Sequence, residues 1–212
     1  IRPILRGRDI KRYSYDFADL YLINTHNGIR DKNIPPVNVN DYPAIKAHLD
    51  MYWDKISVRD DQGETPYNLR NCAYMEDFSR PKIIYSEIVQ TPQMFLDLKG
   101  KFFPEATAFI MTGENLKYLY LLLQSSPVSY FFKTFYAGAG LGEKGIRYKK
   151  EFLQRLPIPL FLNTKKQQKI LSFYDTATDL ETIQTEIDTT IYDLYSLSKD
   201  EIKFIKQKYF SQ

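Results

Sequence analysis

Lys82-Ile83-Ile84-Tyr85-Ser86-Glu87-Ile88-Val89 is the stretch of sequence that decides the fold class. It is rich in β-branched and aromatic residues, and an apolar run of this length is typical of a buried strand. Two shorter stretches, at 20–23 and 106–111, have the same character. The first half of the chain is therefore predicted to contain short strands joined by polar loops.

Helical patterns lie among these strands and then replace them. Apolar residues recur at helical spacing after Pro43, which predicts an amphipathic helix over 43–56. A second helix is predicted over 114–125. A third is predicted from Ser126 to Phe135, because serine followed by proline is a common helix start.

The last fifty residues are predicted to be helical throughout. An apolar stripe at steps of three and four ends at Leu194 and predicts one long helix of about 30 residues. Capping-box patterns at Thr164 and Ser198 start this helix and a short final one. We therefore predict an α+β fold. A mixed α/β body over 1–162 is followed by a helical tail over 163–212, which packs on the body or on a partner domain.

Composition limits the possible classes of protein. Hydrophobic residues make up 43% and aromatic residues 15% of the 212 residues, which is enough for a packed core and excludes a disordered chain. The formal net charge of +3 is compatible with both nucleic-acid and protein partners. No apolar run is long enough to span a membrane. Cys72 is the one cysteine and has no disulfide partner, so we expect a reducing cytoplasm.

Patterns that suggest catalysis are weak. The glycine loop Gly138–Gly142 lacks the preceding strand and the following acid of a nucleotide-binding turn. His26, His48 and Cys72 are too few and too scattered to build a zinc site, and both histidines are expected to be surface or cap residues. Glu201 is explained as a helix-capping residue. We predict no catalytic residue, metal or cofactor site in this chain.

Basic side chains are concentrated in the first twelve residues and directly after the glycine loop. Such segments can supply phosphate contacts that fix a protein on duplex DNA. The predicted DNA-phosphate contacts are Arg6, Arg8, Lys11, Arg12, Lys144, Arg147 and Lys149.

A third segment, at 67–74, combines arginine, asparagine and tyrosine. Arginine to guanine and asparagine to adenine are the bidentate pairings that read base edges. The predicted base contacts are Arg70, Asn71 and Tyr74. A solvated charged surface is the alternative interpretation of all three segments, and composition alone leaves it open.

Several segments, taken in their order along the chain, resemble one known family. They are 4–13, 80–85, 121–127, 156–159 and the tail segment 187–198. Together they resemble the TaqI-like C-terminal specificity domain. This is the target recognition domain of type II restriction–modification methyltransferases and is related to type I specificity subunits. Ser196 departs from the pattern, because the family often has glycine at this position.

The resemblance implies sequence-specific recognition of double-stranded DNA by a non-catalytic, bacterial, cytoplasmic domain. It also implies an upstream N6-adenine methyltransferase domain in the same polypeptide, sometimes fused to a nuclease. That domain binds S-adenosylmethionine and flips the target adenine out of the helix. The chain has no initiator methionine, so we expect it to be a fragment of such a protein. The alternative function is a protein-interaction module that docks a partner subunit through the long helix.

Overall fold

The computed structural model describes residues 1–136 and 145–210, and its strands and helices come in runs rather than alternating one by one. The strands are β1 (Arg2–Leu5), β2 (Tyr21–Leu22), β3 (Lys82–Ser86), β4 (Ile88–Val89), β5 (Met94–Asp97), β6 (Phe103–Pro104), β7 (Ala108–Met111) and β8 (Ile146–Arg147). The helices are α1 (Pro43–Asp50), α2 (Trp53–Ile56), α3 (Leu116–Leu123), α4 (Ser126–Phe135), α5 (Lys150–Leu153), α6 (Lys165–Thr176), α7 (Gln184–Leu194) and α8 (Lys199–Phe210). This mixture confirms the predicted α+β class.

The strand β3 is central, because it lies between β5 and β7 and is antiparallel to both. All five of its residues are buried. A second sheet has the order β2-β1-β6, in which β1 is antiparallel to β2 and parallel to β6. The strands β4 and β8 form an antiparallel pair.

The predicted strand over 82–89 is interrupted at Glu87. The Ser86 hydroxyl donates to the Gly7 carbonyl at 2.7 Å, and the Glu87 carboxylate accepts from Arg147 at 2.8 Å. These contacts hold the chain where it leaves β3 to pair with β8. The predicted strands at 20–23 and 106–111 are confirmed in shorter form, as β2 and β7.

The predicted helix over 43–56 is two short helices, α1 and α2. Tyr52 leaves the helical region, with φ −113° and ψ 18°. Neither helix buries a residue. Since most helical stability in proteins comes from packing an apolar face, nothing forces the two segments into one helix.

The prediction of a single long tail helix is wrong. The chain leaves α6 at Ala177, which is extended at ψ 133°, and helix resumes at Gln184. In between, the Asp179 carboxylate accepts from the Glu181 amide and the Thr182 hydroxyl, a local turn that competes with helix. The final helix α8 has 12 residues, as many as α6, so it is not short. Both predicted capping boxes, at Thr164 and at Ser198, are confirmed.

The break lets both halves of the apolar stripe reach the same neighbour. Ile170 on α6 and Ile187 on α7 are fully buried and cluster with Leu121 and Leu122 of α3. The opposite side of α3, including Tyr120, packs against the β3 sheet. The stripe that suggested docking on a partner subunit is therefore covered by the chain's own α3.

The helix α4 matches its predicted span and is fixed to the tail by a buried carboxylate. Asp188 on α7 accepts from the Ser126 backbone amide at 2.9 Å and from the Ser126 hydroxyl at 2.5 Å. Burial raises the pKa of Asp188, although these hydrogen bonds oppose the rise. No helix in the described part of the chain is long and apolar enough to cross a membrane.

Candidate nucleic-acid interface

Residues 23–80 form a lobe. It leaves the second sheet, of order β2-β1-β6, after β2, and the chain then enters the β5-β3-β7 sheet at β3. Val39 is the one apolar side chain buried within these residues. The lobe is held instead by Asn68, which is 2% exposed. Its amide nitrogen donates to the carbonyls of Val37 and His26, and its amide oxygen accepts from the Thr65 hydroxyl. Arg59 adds a hydrogen bond to the Asn68 carbonyl. A buried polar hub therefore sets the path of this lobe.

Where the lobe meets the second sheet, two adjoining cavities form a depression that we call the Phe103 cleft. The larger cavity encloses about 420 Å³. Both cavities contact Phe103, Met75, Asn24 and His26. The rest of the lining is Arg2, Leu22, Ile29, Ile34, Leu69, Arg70, Cys72, Glu76, Phe78, Ser79 and Arg80. Three arginines thus surround an apolar floor that carries a single carboxylate.

That carboxylate, Glu76, is already paired. Lys32 forms an ion pair with it, and an Arg80 nitrogen lies 3.6 Å from its other oxygen. The hydrogen bond from Lys32 lowers the pKa of Glu76. Arg80 also pairs with Asp77 at 3.2 Å, and Arg70 pairs with Asp61. Among the described residues, Arg2 is therefore the arginine of the lining that is left to favour an anionic ligand.

Arg2 projects from β1 over the ring of Phe103, with 5.7 Å between the guanidinium carbon and the ring centroid. In residues 1–136 and 145–210 no carboxylate lies within ion-pair distance of Arg2. Its side chain is therefore positioned by an aromatic surface while its N–H groups stay available.

His26 is held by the turn that follows it. The Gly28 amide donates to Nδ1 of His26 at 3.1 Å, and Gly28 has a φ of 79° that favours glycine. Because Nδ1 accepts, Nε2 carries the proton in the neutral ring and is a donor. This contact with a backbone amide two residues on agrees with the surface or cap role that the sequence suggested.

The three predicted base contacts lie on the lobe, and Arg70 lines the cleft itself. Arg70 pairs with Asp61 at 3.1 Å, and the two side chains are 69% and 74% exposed. The Asn71 amide oxygen accepts from the Asn27 amide at 2.9 Å, and Asn71 is exposed. Tyr74 is 59% exposed. The residues are accessible, and the contacts of Arg70 and Asn71 are at the surface, where water can replace them.

The N-terminal basic residues divide into two kinds. Arg6 pairs with buried Asp9 at 2.6 Å, and this hydrogen bond lowers the pKa of Asp9. Arg12 donates to the Gln124 carbonyl at 2.6 Å. Lys11 lies 3.5 Å from Asp16. Arg8 is exposed. Arg6 and Arg12 therefore stabilise the fold, whereas Arg8 projects into solvent.

The second basic segment lies on β8 and the start of α5. Arg147 is exposed and pairs with Glu87. Lys149 is exposed, and its ammonium lies 5.8 Å from the centroid of the Phe152 ring. Lys144 and the glycine loop at 138–142 lie outside the described residues.

The two basic segments converge at the C-terminal end of β3. The Gly7 carbonyl, between Arg6 and Arg8, accepts from the Ser86 hydroxyl. Glu87, which follows Ser86, pairs with Arg147. We call this group, Arg6, Arg8, Arg147 and Lys149, the Ser86 cluster. The Phe103 cleft lies at the opposite end of β3, where Arg80 precedes the strand. Five residues of strand separate the two sites by about 17 Å.

A buried ion pair fixes the cleft to the sheet. Lys82 is completely buried and donates to Asp97 at 2.9 Å and to the Phe78 carbonyl at 2.7 Å. Asp97 also accepts from the Phe102 amide at 2.8 Å. The cleft wall at 78–80 and its floor at Phe103 are therefore both anchored through Lys82 and Asp97.

Sequence reasoning missed part of this cleft. Arg2, Asn24, His26 and Arg80 were not among the predicted contacts. Arg2 does belong to the basic first twelve residues, but its separation from the other arginines of that segment is visible only once β1 pairs with β6. Among the described residues, no group of three or more histidine, cysteine, aspartate or glutamate side chains is placed to hold a metal ion.

The fold is thus an α+β body that carries an irregular polar lobe and a cleft lined by three arginines. The sequence model of the TaqI-like C-terminal specificity domain matches residues 2–158. The chain belongs to this family of specificity domains.

A relative agrees with this assignment. The chain is 26% identical, over 213 residues, to the Type II methyltransferase M.BstVI of Geobacillus stearothermophilus. The alignment covers 96% of this chain and 36% of that methyltransferase, so the chain spans about a third of the length of its relative.

Proposed function

We propose that this chain binds duplex DNA and reads its sequence as the specificity domain of a restriction–modification enzyme that methylates adenine at N6. In this proposal the chain supplies no catalytic group. S-adenosylmethionine binds an upstream methyltransferase domain of the same polypeptide, and the protein acts in the bacterial cytoplasm. Whether the parent also cleaves DNA is a property of its other domains.

The observation that carries the proposal is the placement of cationic side chains at both ends of β3. The Ser86 cluster and the Phe103 cleft are about 17 Å apart along the strand, about 5 Å more than the 12 Å width of the DNA major groove. Two such sites can contact phosphates on either side of one groove. Arg8, Arg147 and Lys149 are the proposed phosphate contacts at one end, with Arg6, Lys11 and Arg12 supporting them. Lys144, outside the described residues, is proposed as a phosphate contact from the sequence alone.

Arg70, Asn71 and Tyr74 are the proposed base contacts. The Arg70–Asp61 pair is exposed at both ends, so exchanging Asp61 for a guanine edge costs little. Asn71 can exchange its contact with Asn27 for an adenine edge. The polar hub at Asn68, only two or three residues away, keeps this segment in a defined position.

Charge reversal tests the phosphate contacts. Fluorescence anisotropy of a labelled random duplex, at several salt concentrations, is expected to show binding that weakens with salt. The variant with Arg8→Glu and Lys149→Glu is expected to bind all sequences more weakly, with a log–log salt slope smaller by about 2. The matched control is Lys169→Glu with Lys203→Glu, which reverses two exposed charges on the tail.

Selection from a randomised duplex library tests the base contacts. Asn71→Ala is expected to relax preference at one base pair by about 5- to 150-fold, while non-specific affinity stays within a factor of about two. Failure of the unaltered chain to bind duplex at low salt would refute the proposed function. Equal weakening by the basic-site variant and the tail control would refute the assigned phosphate contacts.

A further inference from the structure

We propose, on the basis of the DNA-binding function above, that the Phe103 cleft clamps the sugar–phosphate backbone of one DNA strand. Arg2 and His26 donate hydrogen bonds to a phosphate of that strand. Neither residue belongs to the contacts that the sequence predicts. The clamp would set the register of the neighbouring loop that carries Arg70 and Asn71.

The shape of the cleft favours backbone over bases. Base edges lie at the bottom of a groove about 8.5 Å deep, so they are reached by protruding elements. The phosphodiester backbone is the convex ridge of the duplex and fits a depression. The Phe103 cleft is concave and is walled by the second sheet on one side and the lobe on the other.

The lining of the cleft can contact both parts of the DNA backbone, the deoxyribose and the phosphate. Phe103, Met75 and Ile34 provide an apolar floor for deoxyribose carbons. Arg2 and Nε2 of His26 are donors, as phosphate oxygens require. The single carboxylate, Glu76, is paired with Lys32 and Arg80 and so does not repel a phosphate.

The two donors are also held in place before any ligand arrives. Arg2 lies over the Phe103 ring, and the orientation of the His26 ring is fixed by the Gly28 amide. Less side-chain entropy is lost when such groups bind, which increases affinity. Arg70 lines the same cleft, so a backbone bound there brings the adjacent base edges next to the proposed reading loop.

Salt-dependent binding of Arg2→Ala provides the first test. We expect affinity for all duplexes to fall by about tenfold, the loss expected for a hydrogen bond to a charged group. The slope of log affinity against log salt is expected to fall by about 0.9, the value for one phosphate. Arg155→Ala removes an exposed arginine outside the cleft and is the matched control, with an unchanged slope expected. Arg2→Lys keeps the charge and is expected to restore most of the slope.

Cys72 gives a second, spatial test, because it is the one cysteine of the chain and lines the cleft. Saturating duplex is expected to slow alkylation of Cys72 by a small thiol reagent at least fivefold, since a bound strand covers the floor of the cleft. In the control, Cys72→Ser with Lys169→Cys, the reporter lies on the tail and its alkylation rate is expected to stay the same with and without DNA.

The outcomes separate the clamp from the function on which it rests. Duplex binding with unprotected Cys72 and an unaltered salt slope in Arg2→Ala would overturn the clamp and leave DNA recognition standing. A changed base preference in Arg2→Ala, with the slope unchanged, would overturn the backbone role in favour of base reading. Absence of any duplex binding by the unaltered chain would overturn both. Thermal unfolding of each variant verifies that it is folded.

Discussion

Replacing Lys82 by methionine is expected to destabilise the protein by about 3–5 kcal/mol, because the change leaves a buried carboxylate without its cation. Lys82 is 0% exposed and Asp97 is 3% exposed. Methionine fills a similar volume but donates to neither Asp97 nor the Phe78 carbonyl. Asp97 would keep the Phe102 amide as its remaining donor.

The Lys82–Asp97 ion pair contributes less to the free energy of unfolding than the expected loss in Lys82→Met suggests. Burial lowers the pKa of Lys82, even though the hydrogen bond to Asp97 opposes this shift. The ion pair therefore offsets only part of the cost of burying the ammonium. The double variant Lys82→Met with Asp97→Asn is expected to be more stable than Lys82→Met alone. It buries no charge, and the side-chain amide oxygen introduced at position 97 can still accept from the Phe102 amide.

Urea unfolding followed by circular dichroism measures both effects. With a slope of about 2–3 kcal/mol per molar urea, the midpoint of Lys82→Met is expected to fall by about 1–2 M. Lys99→Met, an exposed lysine close in sequence, is the control and is expected to stay within about 0.5 kcal/mol of the parent. The reasoning fails if Lys82→Met loses less than about 1 kcal/mol, or if the second substitution destabilises it further.

Three further outcomes are expected. Ser196→Gly should stabilise the protein by about 0.5–1 kcal/mol, seen as a higher melting temperature, because Ser196 has a φ of 55° that glycine adopts at lower cost; an unchanged or lower melting temperature would argue against strain there. Gly100→Ala should cost about 2 kcal/mol or more in the same measurement, because Gly100 has a φ of 61° and an added Cβ would lie 2.1 Å from the Ser79 carbonyl oxygen; a neutral substitution would contradict this. Asp9→Asn should lose the most stability at neutral pH. The hydrogen bond from Arg6 lowers the pKa of Asp9 in the folded state. The stability that the ion pair adds is therefore fully present above the pKa of Asp9 in the unfolded chain, near 4, and is lost as pH falls through the lower pKa of the folded state. Urea midpoints of the variant and the parent should therefore converge at low pH, and a constant difference would exclude this role.

The sequence was sufficient for the fold class and for most elements, because their signals are local. The capping boxes at Thr164 and Ser198 and the start of α4 at Ser126 involve residues within one helical turn. The break at Ala177 was not predicted, because the apolar spacing continues through it. It combines the local turn at Asp179 with tertiary packing, since folding back lets both halves of the stripe contact α3.

Only part of the candidate site was predicted, because local clusters of residues are visible in the sequence and long-range contacts are not. Clusters in the sequence selected Arg8, Lys149 and Arg70 as predicted DNA contacts, and all three side chains are exposed in the structure. Local patterns could not distinguish them from Arg12, whose hydrogen bond goes to Gln124 more than one hundred residues away. The Phe103 cleft depends on the parallel pairing of β1 with β6, a long-range contact that no motif in the sequence encodes.

The polar hub of the 23–80 lobe has a consequence for how such proteins diversify. Val39 is the one apolar side chain that the lobe buries. The outer residues of the lobe can therefore be substituted without repacking a hydrophobic core. Its two stems, at Leu22 and Phe78, meet at Phe103. A lobe transplanted from another member of the family would therefore need to match these few stem contacts, and on the proposed function it would carry its own base contacts with it.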